Sequence, residues 1–385
     1  MSRRDLSRHS WCRGPSGAGG LIAANRREVE LVKLERLGAA AVIGLGGAAV
    51  IAGPNVVPNP LSAHSDVALR ASSDVLSDST NAIFVGGTFE PTPSTSWVQT
   101  TESLYLDPLG FAGPDADASN ICDMSGTSPC DAPLQVLTTP ELLEEGPSTL
   151  ETETAIIKAV EAEWDAGNMS TSDPLTVFAY SQSAMAASAA EQQLSDYGIP
   201  QDALHFVFIG DPSAESGIAP NIYGDLVQLF GGGFFGKTIT DGLLNLVNED
   251  QFAPGGPLAG VTPNDLYETT VYTIHGDGVA DWQADWDAEL AASHGNAWDA
   301  LGYALYRFVG THLEYLGLTP ADVSTGVATT DGLTTTITIP DGSDDGATID
   351  DASAWLNAFP NGLGDSGLLS SLWESLQALT DPAYV

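Results

Sequence analysis

Apolar residues along this chain follow two different periods, and their alternation predicts the architecture. Short continuous apolar runs occur at Ala82–Val85, Leu175–Tyr180, Phe206–Ile209 and Thr270–Ile274. They are rich in β-branched and aromatic side chains, as strands buried on both faces are. Helical stretches separate them. Ser148 and Thr149 are placed to cap a helix in which Ile156, Val160 and Trp164 recur at i, i+4 and i+8. Ala184 to Leu194 reads as an Ala-rich helix directly after the second strand, and Trp286 to Tyr315 as a long amphipathic one. The stretch after Gly86-Gly87-Thr88 reads as polar loop through Cys130. Residues 231–260 are rich in Gly, Pro and apolar side chains without a period, which suggests an insertion. The tail holds a Thr/Ile strand near Thr334–Ile339, an acidic turn at Asp341–Asp351 and a helix around Leu368–Leu379. No internal repeat is visible. Strand and helix in alternation predict an α/β fold, with a mostly parallel central sheet flanked by helices.

The N-terminal 63 residues break this pattern. Lys33 and Arg36 precede an uncharged apolar run from Leu37 to Ala52, closed by Gly53-Pro54 and followed by Leu61-Ser62-Ala63. That order is an export signal, about residues 33–63, with cleavage expected after Ala63. Sixteen apolar residues fall short of the roughly 20 that span a bilayer, although extension to Val57 would make an uncleaved anchor the alternative. The segment before Val32 is polar, Arg-rich and aperiodic, so the true start could lie further in. The expected organisation is an extension and leader over 1–63, then a single α/β domain over 64–385.

Charge supports that division. The chain has 12 Lys+Arg against 51 Asp+Glu, for a net charge of −39. Eight of the basic residues and four of the acids fall in 1–63, which leaves four and 47 beyond it, a net of −43. A body so acidic excludes nucleic acid as a partner, because nothing is left to neutralise phosphates. It excludes electrostatic attachment to anionic membranes for the same reason. At 43% hydrophobic residues the chain can still bury a core.

Three cysteines become two once the leader and Cys12 are removed. Cys122 and Cys130 flank a Gly- and Pro-containing loop, and in an exported chain they read as a disulfide. A redox or metal role finds no support in a neighbouring His or further thiol. Asp341-x-Ser343-x-Asp345-Gly346 begins like a calcium loop, but Ala352 stands where a bidentate Glu belongs. No metal and no cofactor are therefore expected.

The stretch that carries chemistry is Val177-Phe178-Ala179-Tyr180-Ser181-Gln182-Ser183-Ala184. A nucleophile elbow needs a strand, a serine at a sharp turn, then a helix, with small residues two before and two after it. Ala179 and Ser183 occupy those positions, where Gly is usual. A serine needs a base, and the base an orienting acid, in the chain order Ser, Asp or Glu, His. His312 is the leading base, with His275 and His294 as rivals; His205 sits inside a strand. Asp277, between two glycines at a strand end, is the leading acid and Asp281 its rival. The N–H of Gln182 would serve a developing oxyanion, and Gly86-Gly87-Thr88 stands where a second donor is expected.

Several blocks together resemble one family. Gly86-Gly87-Thr88-Phe89-Glu90-Pro91-Thr92-Pro93, Tyr180-Ser181-Gln182-Ser183-Ala184, Gly276-Asp277-Gly278-Val279-Ala280-Asp281-Trp282, His312-x-x-Tyr315 and Thr334 to Pro340 are similar, in that order, to the PE-PPE C-terminal domain. That is a serine-hydrolase family known chiefly from mycobacteria and related to cutinases. The resemblance runs over about residues 80–385 and implies a cutinase-like α/β-hydrolase fold. It also implies Ser181 as nucleophile, Asp277 as orienting acid, His312 as base, and Thr88 with Gln182 as the oxyanion hole. Three positions depart from the family pattern: Ala179 for Gly, Gly276 for Tyr, and Gln283 for Pro. No PE or PPE helical segment is legible ahead of it, so a free-standing exported form is expected.

The expected function is a secreted serine esterase or lipase-type hydrolase acting on neutral acyl esters, since an acidic body repels anionic substrates. Residues 231–260 would form a lid or acyl-binding wall. Two alternatives are an acyltransferase that passes the acyl group to a sugar or lipid alcohol, and a surface or binding module with a decayed site.

Overall fold

The protein is described by a computed structural model, which covers residues 74–340 apart from Ser125 and Leu143. The leader with its cleavage point, Cys12, the acidic turn and the helix near Leu368–Leu379 lie outside the described residues.

Among the described residues, eight strands form one sheet. They are β1 (Asn81–Val85), β2 (Ile121–Met124), β3 (Leu134–Leu137), β4 (Leu175–Tyr180), β5 (Leu204–Ile209), β6 (Glu268–Ile274), β7 (Val327–Asp331) and β8 (Thr334–Ile339). Their spatial order is β2-β3-β1-β4-β5-β6-β8-β7, and every neighbouring pair is parallel except the hairpin β7–β8. The helices are α1 (Thr95–Thr101), α2 (Glu145–Ala166), α3 (Gln182–Tyr197), α4 (Ile218–Leu229), α5 (Gly233–Val247), α6 (Trp282–Ala292) and α7 (Ala297–Val309), with a short one at Pro320–Val323. This is the fold of an α/β hydrolase.

Each inner strand sends alternate residues to opposite faces, and both faces are covered. Ile83, Val85, Val177, Ala179, Phe206 and Phe208 pack beneath α2 and α3, against Ile156, Val160, Ala186, Ala187 and Ala190. On the other face Phe84, Phe178, Ile209 and Tyr272 meet Trp97, Leu104 and Tyr105 from the α1 region. Phe178 is the hub there, with its ring centroid 5.8, 5.6 and 6.1 Å from those of Phe84, Trp97 and Tyr105.

The strand order reverses beside β1. The chain leaves β1 for the edge strand β2, returns through β3, and then crosses to β4 on the other side of β1. A crevice at the carboxyl ends of two such strands is where α/β sheets place their ligands. Here those ends carry Gly86-Gly87-Thr88 and Ser181.

Several expectations needed correction. The polar loop expected after residue 86 through Cys130 contains α1 and the edge strand β2, and the inner strand β3 follows directly after it. The long helix expected from Trp286 to Tyr315 is two helices, α6 and α7, because His294 and Gly295 take left-handed backbone with φ of 59° and 93°. Ser148 and Thr149 do not cap α2, which already begins at Glu145. Its first turn is capped from afar, where the Gly146 N–H donates to the Glu249 carboxylate at 2.7 Å. The aperiodic 231–260 segment contains the 15-residue helix α5. Cys122 and Cys130 are joined, which ties the edge strand β2 to the loop before β3.

Phe178→Ala leaves a cavity at the aromatic hub. It should lower the unfolding free energy by about 3–5 kcal/mol in urea titration.

Candidate active site

Ser181 sits between the end of β4 and the first residue of α3, with φ 57° and ψ −118°. A non-glycine residue holds such backbone only when its surroundings force it, at a cost of about 1–3 kcal/mol. Those forces are visible. The Ser181 N–H donates to the Ile209 carbonyl at 3.1 Å on neighbouring β5. Two residues on, the Ser183 hydroxyl accepts from the Tyr180 N–H at 3.0 Å and lies 3.1 Å from the carbonyls of both Val85 and Tyr180. Ser183 thus pins the turn to two strands by hydrogen bonds that glycine cannot make. Ala179 is fully buried under the Ala-rich face of α3, so the departure from Gly at this position is accommodated by close packing.

Ser181 Oγ lies 2.7 Å from His312 Nε2. His312 Nδ1 lies 2.9 Å from each oxygen of Asp277. Asp277 also accepts from the Val279 N–H at 2.8 Å and from the Tyr315 hydroxyl at 2.7 Å. Burial by itself would raise the Asp277 carboxyl. The His312 charge and N–H, the Tyr315 hydroxyl and the Val279 N–H outweigh it and hold the group below its ordinary 3.8. An ionised Asp277 can only accept, so Nδ1 carries the proton and Nε2 is left to accept from the serine hydroxyl.

The imidazole is fixed on all sides. It stacks between Tyr180 and Phe308, with centroids 5.5 and 5.6 Å away. The Tyr180 hydroxyl donates to the His312 carbonyl at 2.7 Å. Tyr315 in turn accepts from the Ile274 N–H at 2.9 Å, and its carbonyl receives the Tyr105 hydroxyl at 2.5 Å. The rivals lie elsewhere. Asp281 accepts from the Gly276 N–H and faces the exposed His275. His294 is exposed at the α6–α7 break, and His205 lies in β5 beside Glu268.

The loop after β1 reaches the elbow because residue 87 is glycine. A Cβ there would meet the Tyr180 carbonyl at 3.0 Å and Ser181 Cβ at 3.3 Å. The N–H of Gln182 opens α3 and so has no acceptor within its helix. Thr88 and Gln182 do meet, through a residue that sequence reading missed. Glu145 accepts the Thr88 hydroxyl at 3.0 Å and the Gln182 side-chain amide. The Thr88 hydroxyl is therefore engaged with Glu145. Burial pushes Glu145 up to about 7, against the pull of Gln182, Thr88 and the His312 charge. Glu249, capping the same turn, is likewise raised by burial to about 7.

Arg307 is the second residue missed. Its Nε donates to the Gly276 carbonyl at 2.6 Å and Nη2 to the His275 carbonyl at 3.1 Å, which clamps the turn that presents Asp277. Gly276 has φ 74°, and a Cβ there would collide with the guanidinium. The family's tyrosine is thus replaced by a glycine whose missing side chain makes room for Arg307.

Residues 218–258 bridge the elements on either side of this centre. Ile218, Ile222 and Leu229 of α4 pack on Trp282, Trp286, Leu301 and Ala304 of α6 and α7. Phe252 and Leu258, beyond α5, pack on Leu150, Met185 and Ala189 of α2 and α3. Ser181 is 9% exposed and His312 only 2%. Among the described residues no group of His, Cys, Asp and Glu is placed to hold a metal ion. No helix among them is long and apolar enough to cross a membrane.

A serine at a strand-to-helix turn, beside a strand-order reversal, makes the fold α/β-hydrolase-like. The PE-PPE domain model matches residues 130–343, more than half of the chain, and the protein belongs to that family. The match begins after the Gly86–Pro93 block, so the family likeness at that loop rests on its residues alone. An uncharacterised PPE family protein, PPE28, of Mycobacterium tuberculosis (strain ATCC 25618 / H37Rv) is 25% identical over 287 residues. That alignment takes in 74% of this chain, but the chain spans only 37% of the relative's length. A solved structure of RedJ, with a PEG molecule bound in the active site, aligns at 14% identity and a TM-score of 0.28. It covers 83% of this chain and 98% of its own.

Two consequences can be measured. Gly276→Ala should lower stability by about 1–2 kcal/mol from backbone strain alone, with more from displacing Arg307. Gly260→Ala, which meets open space, serves as the near-neutral control. Stability should also fall as pH rises from about 5 to 8. Burial lifts Glu90, Glu102, Glu145, Glu249 and Asp285 to about 7 and Glu141 to about 8. In that window the folded chain holds protons that the unfolded chain has released, so ionising these groups favours unfolding. Calorimetry should therefore give a higher Tm at pH 5.5 than at pH 8. The lowered Asp277 acts in the opposite sense, and its contribution is lost only below about pH 4.

Proposed function

We propose that this protein is an exported serine esterase that cleaves neutral acyl esters through an acyl-enzyme. One observation carries the reading: the unbroken hydrogen-bonded chain Ser181 Oγ, His312 Nε2, His312 Nδ1, Asp277, hung on a strained serine at a strand-order reversal. Ser181 Oγ attacks the ester carbonyl and its proton passes to His312 Nε2, while Asp277 steadies the imidazolium. The carbonyl oxygen becomes an oxyanion that the Gln182 N–H and the loop at Thr88 face. Its collapse breaks the bond to the alcohol oxygen, which leaves with the proton from His312. Water then repeats the sequence on the acyl-serine and releases the acid. No metal and no cofactor enter any step.

A substrate without charge suits a chain whose net charge is −39. Export follows from the leader expected over 1–63, ahead of a catalytic unit over 64–385, and from the disulfide joining Cys122 to Cys130.

Hydrolysis of a soluble p-nitrophenyl ester should fall by roughly 10⁴-fold or more in Ser181→Ala and in His312→Ala. Asp277→Asn should lose about 10⁴-fold by allowing the wrong tautomer. Asp281→Asn should stay within a few-fold of the parent. Activity that survives Ser181→Ala would refute the reading. A decayed module would show no turnover in the parent, and an acyltransferase would yield mainly transacylated product when an alcohol is added.

A further inference from the structure

We propose that the outer face of α5 is a docking surface for the interface of an uncharged or zwitterionic lipid aggregate. The proposal deepens the esterase reading and rests on it for the substrate, since it makes the natural ester one presented at a lipid–water interface. Phe234, Phe235 and Leu246 are 87%, 71% and 79% exposed, the largest exposures among the big apolar side chains described. They share one helix. Phe235, Thr238, Gly242 and Leu246 follow one another at i+3, i+4 and i+4, and so form a single outward stripe, with Phe234 at its head. The opposite side, with Gly236, Thr240 and Leu244, is buried.

Charge indicates which partner this face fits. In a chain with 51 acids in 385 residues, none occurs between Asp225 and Asp241. The one acid within α5 is turned away from the stripe, because Asp241 accepts the Tyr223 hydroxyl from α4 at 2.7 Å. The one base, Lys237, lies 5.9 Å over the Tyr223 ring. The stripe itself therefore carries no charged residue in a strongly acidic chain, and it can approach a neutral interface without the repulsion that an anionic one would meet.

Placement ties the face to the centre. α5 is the middle of the bridge whose two ends grip α6 with α7 and α2 with α3. The serine and the histidine are 9% and 2% exposed. The helix is entered through Gly231 and Gly232 and opens on Gly233, all at positive φ.

The experiment uses the full chain with vesicles of phosphatidylcholine, vesicles of phosphatidylglycerol, a tributyrin emulsion and a soluble p-nitrophenyl ester. The parent should float with phosphatidylcholine vesicles, and bind phosphatidylglycerol more weakly at low salt. Phe234→Asp combined with Phe235→Asp should lose vesicle binding and emulsion hydrolysis by about tenfold or more, with soluble-ester turnover within twofold. The milder Phe234→Ser with Phe235→Ser should show the same direction. Equal binding by parent and variants, no binding by the parent, or tighter binding to phosphatidylglycerol would each overturn the proposal. So would a parent dimer, seen by light scattering, that the double variant dissolves. Vesicle binding without any ester turnover would leave the docking surface standing and remove the esterase reading instead.

Discussion

The strained backbone of Ser181 is the constraint on which the site depends. A left-handed turn at the end of β4 places the hydroxyl above the sheet, and it persists only because neighbours over-determine it. β5 takes the serine's N–H, Ser183 ties the turn to β1 and β4, and α3 packs alanines against Ala179. Each of those supports needs the parallel order β1-β4-β5, so the sheet and the elbow are one structure. The partners then converge from further along the chain. Asp277 comes from the end of β6 and His312 from the turn after α7, joined by the Tyr315 hydroxyl and the Tyr180–His312 stack.

A strongly acidic chain could be expected to keep its carboxylates in water, yet an unusual number are covered. Glu141, Glu145, Glu249, Asp285 and Asp211 are all raised by burial. Two of them, Glu145 and Glu249, meet at the first turn of α2, where one joins Thr88 to Gln182 and the other caps the helix from the bridging segment. The acidic composition thus has an inner part that holds protons near neutrality.

The inner strands and the elbow were legible because continuous apolar runs and small residues around a serine leave few alternatives. β3 was not, since Leu134-Gln135-Val136-Leu137 is interrupted by a buried Gln. Its amide donates to Glu163 on α2 at 2.5 Å, and its carbonyl accepts from Cys130. The α6–α7 break escaped because His294 adopts left-handed backbone ahead of the glycine that would ordinarily mark a stop. Ser181, Asp277 and His312 could be picked out by chain order and scarcity of histidine. Glu145, Glu249 and Arg307 could not, because their roles come from contacts 31 to 103 positions apart along the chain. Local pattern carries no trace of such contacts.

In the proposed mechanism the turn, the base and the acid make one serine, and no other, a nucleophile. Intact-mass spectrometry after reaction with a fluorophosphonate tests it most directly, with peptide mapping of the adduct. One adduct per chain is expected, located on Ser181 and absent from Ser181→Ala. Folded protein that stays unlabelled, or carries its label on another residue, would contradict it.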